Sequence, residues 1–319
     1  MTNTVPAATD SRPLGGVQPF RAFSSLVTID VAAQSHVGRV RSNNEDQFFV
    51  TRLTRSLETM LSSLQPGDVP DRADEVNYVM VVADGMGGHA AGEVASRLTI
   101  SALVSLALDL PYWIFKVDEE FAPEIERRAR QLVQQVGSLL FERGRQNAAL
   151  RGMGSTLTAV RSYGRDLLIV HVGDSRAYLL RSSRLHRLTK DHTFAQMLVD
   201  CGQLEPCDIE SSGVRHVLTN ALGGSTEEVE VDVDLARLKS GDRLLLCSDG
   251  LTDLIDDETI TRLLLESDAS ADACSALVQL ALDRGGRDNV TVIVAGYTIP
   301  DGPAPAEAQS ILPEEPADE

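Results

Sequence analysis

Four short acidic stations constrain this chain more than any other feature. They are Asn44-Glu45-Asp46, Ala83-Asp84-Gly85-Met86-Gly87-Gly88-His89, Ser248-Asp249-Gly250 and Arg287-Asp288-Asn289. Three abut apolar runs of strand character: 79–83 leads into Asp84, 244–247 leads towards Asp249, and 290–295 follows Asp288. Strand ends can collect residues that are distant in sequence along one rim of a sheet. Carboxylates gathered on such a rim repel one another unless a cation lies between them. Oxygen-only ligands select hard ions, Mg²⁺, Mn²⁺ or Ca²⁺, over zinc. The chain therefore reads first as a fold that builds a site for hard divalent metals.

Composition narrows the class. The 319 residues are 43% apolar, enough for one large core or two smaller ones. A net charge of −18 argues against a general nucleic-acid surface, and its plainest reading is solubility. Cys201, Cys207, Cys247 and Cys274 form no Cys-x-x-Cys pair, and no histidine is spaced to complete a zinc site. A reduced, cytoplasmic compartment is expected, with Cys247 in the core. The N-terminus is polar, with Asp10 and Arg12, and lacks a secretory signal pattern. The apolar tract 98–110 is broken by Thr99, Ser101, Ser105 and Asp109 and reads as too short and polar to span a membrane. We expect no membrane insertion, and a monomer.

Residues 1–25 and the Pro/Ala/Glu-rich residues 300–319 read as disordered tails around a single domain at 26–299. Within it, Val27, Ile29 and Val31 alternate with polar residues, and strand-like runs follow at 48–50, 78–83, 157–160, 167–172, 177–180, 244–247 and 290–294. Val94, Leu98, Ala102 and Leu106 recur at steps of four, which predicts a helix after the glycine loop. A second helix carries Ile125, Ala129, Leu132, Val133, Val136 and Leu140, with Pro123 near its start. Further helices are predicted at 194–201, 257–266 and 271–284, the last stopped by Gly285-Gly286. Many strands with helices grouped in pairs predict an α+β layered fold. Residues 54–75, polar and containing Pro66-Gly67 and Pro70, look inserted; so do residues 109–120, whose Tyr112, Trp113 and Phe115 read as a local lid on the core, with a docking patch as the alternative.

Phosphate ester hydrolysis requires a nucleophile, charge neutralisation and a hold on the phosphoryl group, all of which a pair of metal ions and a cation can provide. Asp84, between a strand and a glycine loop, is the best bridging ligand, and Gly85 leaves its carbonyl accessible as another. Asp249 and Asp288 would complete a metal's shell, while Glu45 and Asp46 would act through water. Arg41 offers a planar fork for two phosphoryl oxygens; the alternative is an ion pair with Glu45, four residues on. Arg39 reads as a surface charge. The glycine loop lacks both nucleotide-binding spacings, and His89 is read as a structural hydrogen-bonding residue of that loop, the alternative being a ligand or acid. Gly173-Asp174-Ser175-Arg176 is either a turn, with Asp174 capping locally, or one more metal station. Gly-x-Ser-x-Gly, the mark of a serine nucleophile elbow, is absent.

Taken in order, Arg41…Asn44-Glu45-Asp46, Asp84-Gly85-Met86-Gly87-Gly88-His89, Gly154-Ser155-Thr156, Gly173-Asp174-Ser175-Arg176, Ser248-Asp249-Gly250 and Asp288-Asn289 resemble the metal-dependent protein phosphatases (type 2C, PPM), the bacterial branch most closely. Each motif is weak alone; the ordered set, over residues 27–298, is specific. The resemblance implies a four-layer αββα sandwich of two antiparallel sheets flanked by helix pairs. It implies serine/threonine phosphoprotein phosphatase activity with two tightly bound Mn²⁺ or Mg²⁺ ions and a weaker third, by attack of metal-activated water. By position, Asp84 would bridge both metals, the Gly85 carbonyl would bind one, and Asp249 and Asp288 the other. Glu45 and Asp46 would act through metal-bound water, Arg41 would bind phosphate, and Asp174 with Asp249 would hold the third ion. Residues 189–224 would form a flap over the substrate channel, with Gly202, Gly213, Gly223 and Gly224 permitting mobility. The partners implied are phosphorylated proteins, targets of a serine/threonine kinase. Many eukaryotic members carry histidine where Met86 stands, so the default proton donor here is metal-bound water. Three rivals are a catalytically silent binding module, a phosphatase dedicated to a partner-switching regulator, and a carboxylate metal hydrolase of another ester.

Overall fold

The computed structural model describes residues 27–299 except 66, 67, 70, 88, 89, 109–121, 210 and 211. Both expected tails, the aromatic segment 109–120 and His89 lie outside the described residues. In chain order the elements are β1 (Thr28–His36), β2 (Asp46–Glu58), β3 (Arg72–Met86), α1 (Ala90–Leu108), α2 (Ala122–Gln146), β4 (Gly154–Ser155), β5 (Leu157–Tyr163), β6 (Asp166–Val172), β7 (Arg176–Arg181) and β8 (Arg184–Arg187). They continue with α3 (Phe194–Asp200), β9 (Leu222–Gly223), β10 (Asp232–Arg237), β11 (Arg243–Cys247), α4 (Asp249–Thr252), α5 (Asp257–Glu266), α6 (Ser270–Asp283) and β12 (Val290–Thr298).

One sheet runs β1-β12-β11-β7-β8; the other runs β10-β6-β5-β3-β4-β9, with β2 also paired to β3. The named strand pairs are antiparallel, with Asp46 opposite Asp84 and Cys247 opposite Val292. Side chains alternate between the faces of a strand, so each central strand serves two cores. Met80 and Val82 of β3, Leu244 and Leu246 of β11, and Ile293 and Ala295 of β12 meet between the sheets. Their neighbours face the helices. Val79 and Val81 pack with α1 and α2, while Leu245, Cys247, Val292 and Val294 pack with α5 and α6. This is the expected αββα sandwich. A strand buried on both faces reads as an unbroken apolar run, which is why 244–247 and 290–295 stood out. Full burial of each such leucine contributes about 1.5–3 kcal/mol.

The helices form where the sequence places them, with local stops and caps. Asp256 caps α5, its Oδ1 accepting from the Thr259 N–H at 2.8 Å. Gly285 (φ 121°) and Gly286 (φ 50°) follow α6 in the left-handed region, which stops the helix. In α1 the predicted stripe of Val94, Leu98, Ala102 and Leu106 is only partly buried; the deepest face holds Ala91, Ala95 and Leu103.

Two expectations are corrected. Residues 54–75 are largely not an inserted loop: β2 and β3 remain paired out to Glu58 opposite Arg72, a long hairpin whose polar outer half hid its strand character. The apolar helix α1 is longer than the tract suggested, and its window Ala91–Leu108, mean hydropathy 1.3, is long and apolar enough to cross a membrane by length and composition alone. Within that window Ala95, Ser96 and Thr99 are buried. The strands that escaped sequence reading, β4, β8, β9 and β10, are two to six residues long. Strand β10 lies at the sheet edge with Leu235 exposed.

Candidate active site

The layered fold brings the acidic stations to one end of the sandwich. Asp46 opens β2, and Asp84 lies near the end of β3 directly across from it. Asp249 follows β11, and Asp288 precedes its neighbour β12. Asp174 sits in the turn from β6 to β7. Arg41, Glu45, Asp84, Gly85, Asp174, Asp249 and Asp288 all line one cavity of about 1010 Å³. Asp46, 2% exposed, lies behind that lining.

Hydrogen bonds hold the stations in register. The Asp84 N–H donates to Thr156 Oγ1 at 2.9 Å, and the Thr156 N–H returns a bond to the Asp84 carbonyl at 2.8 Å. Thr156 Oγ1 also meets Ser175 Oγ at 2.8 Å, which links the Asp84 and Asp174 stations. Ser248 Oγ donates to Asp46 Oδ2 at 2.6 Å and accepts from the Thr291 N–H at 3.0 Å. Asn289, a buried residue that sequence reading treated only as part of a motif, staples the loop before β2. Its Oδ1 accepts from the Glu45 N–H at 2.7 Å, and its Nδ2 donates to the carbonyls of Val37 and Asn43, both at 2.9 Å.

Glycines permit the close approach of these segments. A Cβ on Gly85 would lie 2.0 Å from the Gly92 carbonyl oxygen, and one on Gly250 would lie 1.9 Å from the Asn289 carbonyl oxygen. A Cβ on Gly92 would lie 2.6 Å from the Glu45 carboxyl carbon, so the start of α1 makes room for Glu45. Gly223, by contrast, is no simple hinge: a Cβ there would lie 2.8 Å from the Met153 carbonyl oxygen, and the residue pairs with Gly154.

The electrostatics are those of crowded acids. Burial pushes the Asp46 carboxyl up to about 7 against the opposing effect of the Ser248 and Thr291 hydroxyls, with the charges of Asp249 and Asp288 adding to the rise. Burial, then the charges of Asp46, Asp249, Asp174 and Asp288, holds Asp84 well above the usual carboxylate range. Asp174 is raised too, first by burial and then by Asp249. The Asp46 Oδ1 atom is buried without a hydrogen-bond partner. A cation among these oxygens would relieve both the repulsion and the orphaned acceptor. Oxygen-rich donors of this kind fit Mn²⁺ or Mg²⁺.

Arg41 corrects one alternative. Its Nη2 donates to Asp288 Oδ2 at 2.7 Å, so the partner is Asp288. That bond is the first cause of its raised pKa, and Glu45 contributes only a lesser charge effect. The guanidinium remains half-exposed at the cavity. Arg39 is likewise more than a surface charge, since its Nε donates to the Leu282 carbonyl at 2.8 Å. Met86 packs against β4, where a Cβ on Gly154 would lie 2.5 Å from Met86 Cε.

Among the lining residues that sequence reading missed are His216 and Asp253. His216, within 189–224, approaches Asp249 Oδ2 at 3.8 Å and Asp253 Oδ2 at 3.4 Å. The Asp249 carboxylate leads the causes that raise the His216 pKa, followed by the charge of Asp253 against partial burial. Burial, then the Asp249 charge, pushes Asp253 up to about 6. Asp253 was findable, four residues after Asp249 and so on one helical face. Nothing in sequence marked His216.

Known proteins share this arrangement of chain. A family model described as Protein phosphatase 2C matches residues 70–282. The chain is 40% identical over 264 residues to the serine/threonine protein phosphatase PstP of Mycobacterium tuberculosis, covering 83% of this chain but 44% of that protein. It is 32% identical over 267 residues to the protein phosphatase PhpP of Streptococcus pneumoniae, covering 83% and 96%. A crystal structure of Mycobacterium tuberculosis PstP/Ppp superposes with a TM-score of 0.67 at 38% identity, covering 84% of this chain and 98% of that one. The PstP catalytic domain in complex with two manganese ions superposes with a TM-score of 0.66 at 37% identity, covering 85% and 99%.

Proposed function

The chain belongs to the protein phosphatase 2C family, and from that premise we propose that it hydrolyses phosphoserine and phosphothreonine in proteins with the help of Mn²⁺ or Mg²⁺. The observation that carries this reading is the rim of Asp84, Asp174, Asp249 and Asp288 in one open cavity, with the unpartnered Asp46 Oδ1 behind it and Arg41 beside it. The manganese-bound relative supports the choice of ion.

Asp84, the Gly85 carbonyl, Asp249 and Asp288 would hold two ions, Glu45 and Asp46 would act through water, and Asp174 with Asp249 would hold a weaker third. Bound there, the ions supply charge neutralisation and a water nucleophile at neutral pH. The chain's own groups do the positioning. Ser248 fixes Asp46 through the 2.6 Å bond, and Thr156 fixes the backbone of Asp84. Asp288 orients the Arg41 guanidinium, which lines the cavity and would hold phosphoryl oxygens. Arg215 and His216 extend the lining beyond the metal stations, where residues 189–224 meet the substrate polypeptide. The catalytic unit is residues 26–299. It acts as a monomer on proteins phosphorylated by a serine/threonine kinase, in the reducing cytoplasm that its exposed Cys201 and Cys207 thiols suit.

Hydrolysis of an aryl phosphate and of the matching aryl acetate tests the reading. Phosphate hydrolysis that needs added Mn²⁺, with no comparable acetate hydrolysis, is the expected result. Equal rates on both esters would make this a general esterase and overturn the assignment.

A further inference from the structure

The two limbs of the segment 189–224 meet at a narrow neck. Thr193 and Leu218 form an isolated antiparallel bridge, and the Phe194 N–H donates to the Val217 carbonyl at 2.8 Å. Directly before this neck stands His192, a residue with no part in the chemistry above. Its backbone N–H donates to the Gly173 carbonyl at 2.7 Å, and its own carbonyl accepts from the Thr219 N–H at 2.9 Å.

The imidazole repeats both ties. Nδ1 accepts from the Gly173 N–H at 3.1 Å and lies 2.8 Å from Asn220 Nδ2. Both neighbours are N–H donors, so Nδ1 is the acceptor nitrogen. Nε2 lies 3.1 Å from Asp232 Oδ2, an acceptor, so Nε2 carries the hydrogen. Asp232, on the edge strand β10, thereby selects the tautomer that Gly173 and Asn220 require. Asn220 is itself fixed, donating to the Glu230 carbonyl at 2.6 Å and accepting from the Glu230 N–H at 3.2 Å. One residue thus grips the outgoing limb, the returning limb, and both polar backbone groups of Gly173.

Gly173 is the residue that aims Asp174. It has φ 108°, and a Cβ there would lie 2.6 Å from Thr156 Cγ2, so the turn has no slack on its inner side. Its outer side is held by His192. The preceding residue is anchored as well, since Asp191 accepts from Arg176 Nη2 at 2.7 Å across the same turn.

We infer that His192 is a positioning residue: it latches the neck of the 189–224 segment to the Gly173-Asp174 turn, so that displacement of the segment and displacement of the Asp174 carboxylate are one event. The inference rests on the reading of Asp174 as a working carboxylate. A misplacement of about 1 Å at a reacting centre costs on the order of a hundredfold in rate. Loss of the latch is therefore expected to lower kcat by about 10- to 100-fold and to leave KM for a small aryl phosphate within about twofold.

The test compares the full chain with His192→Leu, Asp174→Ala and the double variant, each checked for folding by circular dichroism. Expected are a reduced kcat in each single variant and no further loss in the double. In metal-chelated protein, where no turnover occurs, the Gly173 and Thr219 amides should exchange hydrogen faster in His192→Leu. His192→Asn, which keeps an acceptor for the Gly173 N–H, should recover part of the lost kcat. An impaired Asp174→Ala beside a folded His192→Leu of wild-type kcat would overturn the latch alone, as would losses that multiply in the double variant. A fully active Asp174→Ala would remove the premise and the latch with it. Should His192→Leu fail to fold, Asp232→Ala, which frees the ring from outside the neck, carries the same comparison and the same two outcomes.

Discussion

Asp46→Asn should stabilise the cation-free protein and destabilise the cation-loaded one. Asp46 is 2% exposed, and its Oδ1 has no hydrogen-bond partner. Its carboxyl is pushed up from an ordinary 3.8 to about 7, first by burial. Between those values the folded chain holds a proton that the unfolded chain has released. Stability is therefore full below pH 3.8, falls as pH rises, and stays lost above about pH 7. A gap of about three pH units corresponds to a loss on the order of 4 kcal/mol. Asparagine has no charge to bury and recovers that loss, less about 1 kcal/mol for an imperfectly paired amide. Asp84 gains in addition, because Asp46 heads the charges that raise its pKa. Urea unfolding in chelator should therefore show the variant about 3 kcal/mol more stable at pH 8, with the advantage shrinking towards pH 4. Excess Mn²⁺ should reverse the order, since the wild type then has its counter-ion and the variant has lost a ligand charge. A variant no more stable than wild type in chelator at pH 8 would refute the claim that this carboxyl is held against its own desolvation.

Two further perturbations separate phosphate binding from scaffold. Arg41→Ala should raise KM far more than it lowers kcat, with about a ten- to hundredfold loss in kcat/KM for a charge-assisted contact; an unchanged KM and unchanged inhibition by inorganic phosphate would leave Arg41 as a partner of Asp288 alone. Asn289→Ala removes three hydrogen bonds that hold the loop before β2 and should cost about 2–4 kcal/mol in urea unfolding, whereas a cost under about 1 kcal/mol would deny the staple.

The fold was legible where burial on both faces left a continuous apolar signal, as in β11 and β12, and where helices carried their own stops, as at Gly285-Gly286. It was illegible where strands are short or half-solvated. The outer β2–β3 hairpin read as a polar insertion because its register comes from pairing, which no local pattern reveals. The acidic rim was legible because each aspartate abuts a strand and its motif is ordered along the chain. The supports of that rim were not. Asn289, Ser248 and His192 act through contacts across long sequence separations, and only the closed sandwich brings their partners into reach. The proximity of His216 to Asp249 likewise comes from the path of residues 189–224 and has no sequence mark.

The central claim is that carboxylates at the end of the sandwich work as a metal-dependent phosphatase. The most direct measurement is phosphate release from a phosphothreonyl peptide by chelated protein titrated with Mn²⁺, beside a folded Asp249→Asn variant. The account predicts no release without the ion, saturable release by the wild type as Mn²⁺ is added, and almost none from the variant at any concentration. Release by the thoroughly chelated wild type, or wild-type turnover by Asp249→Asn, would contradict it.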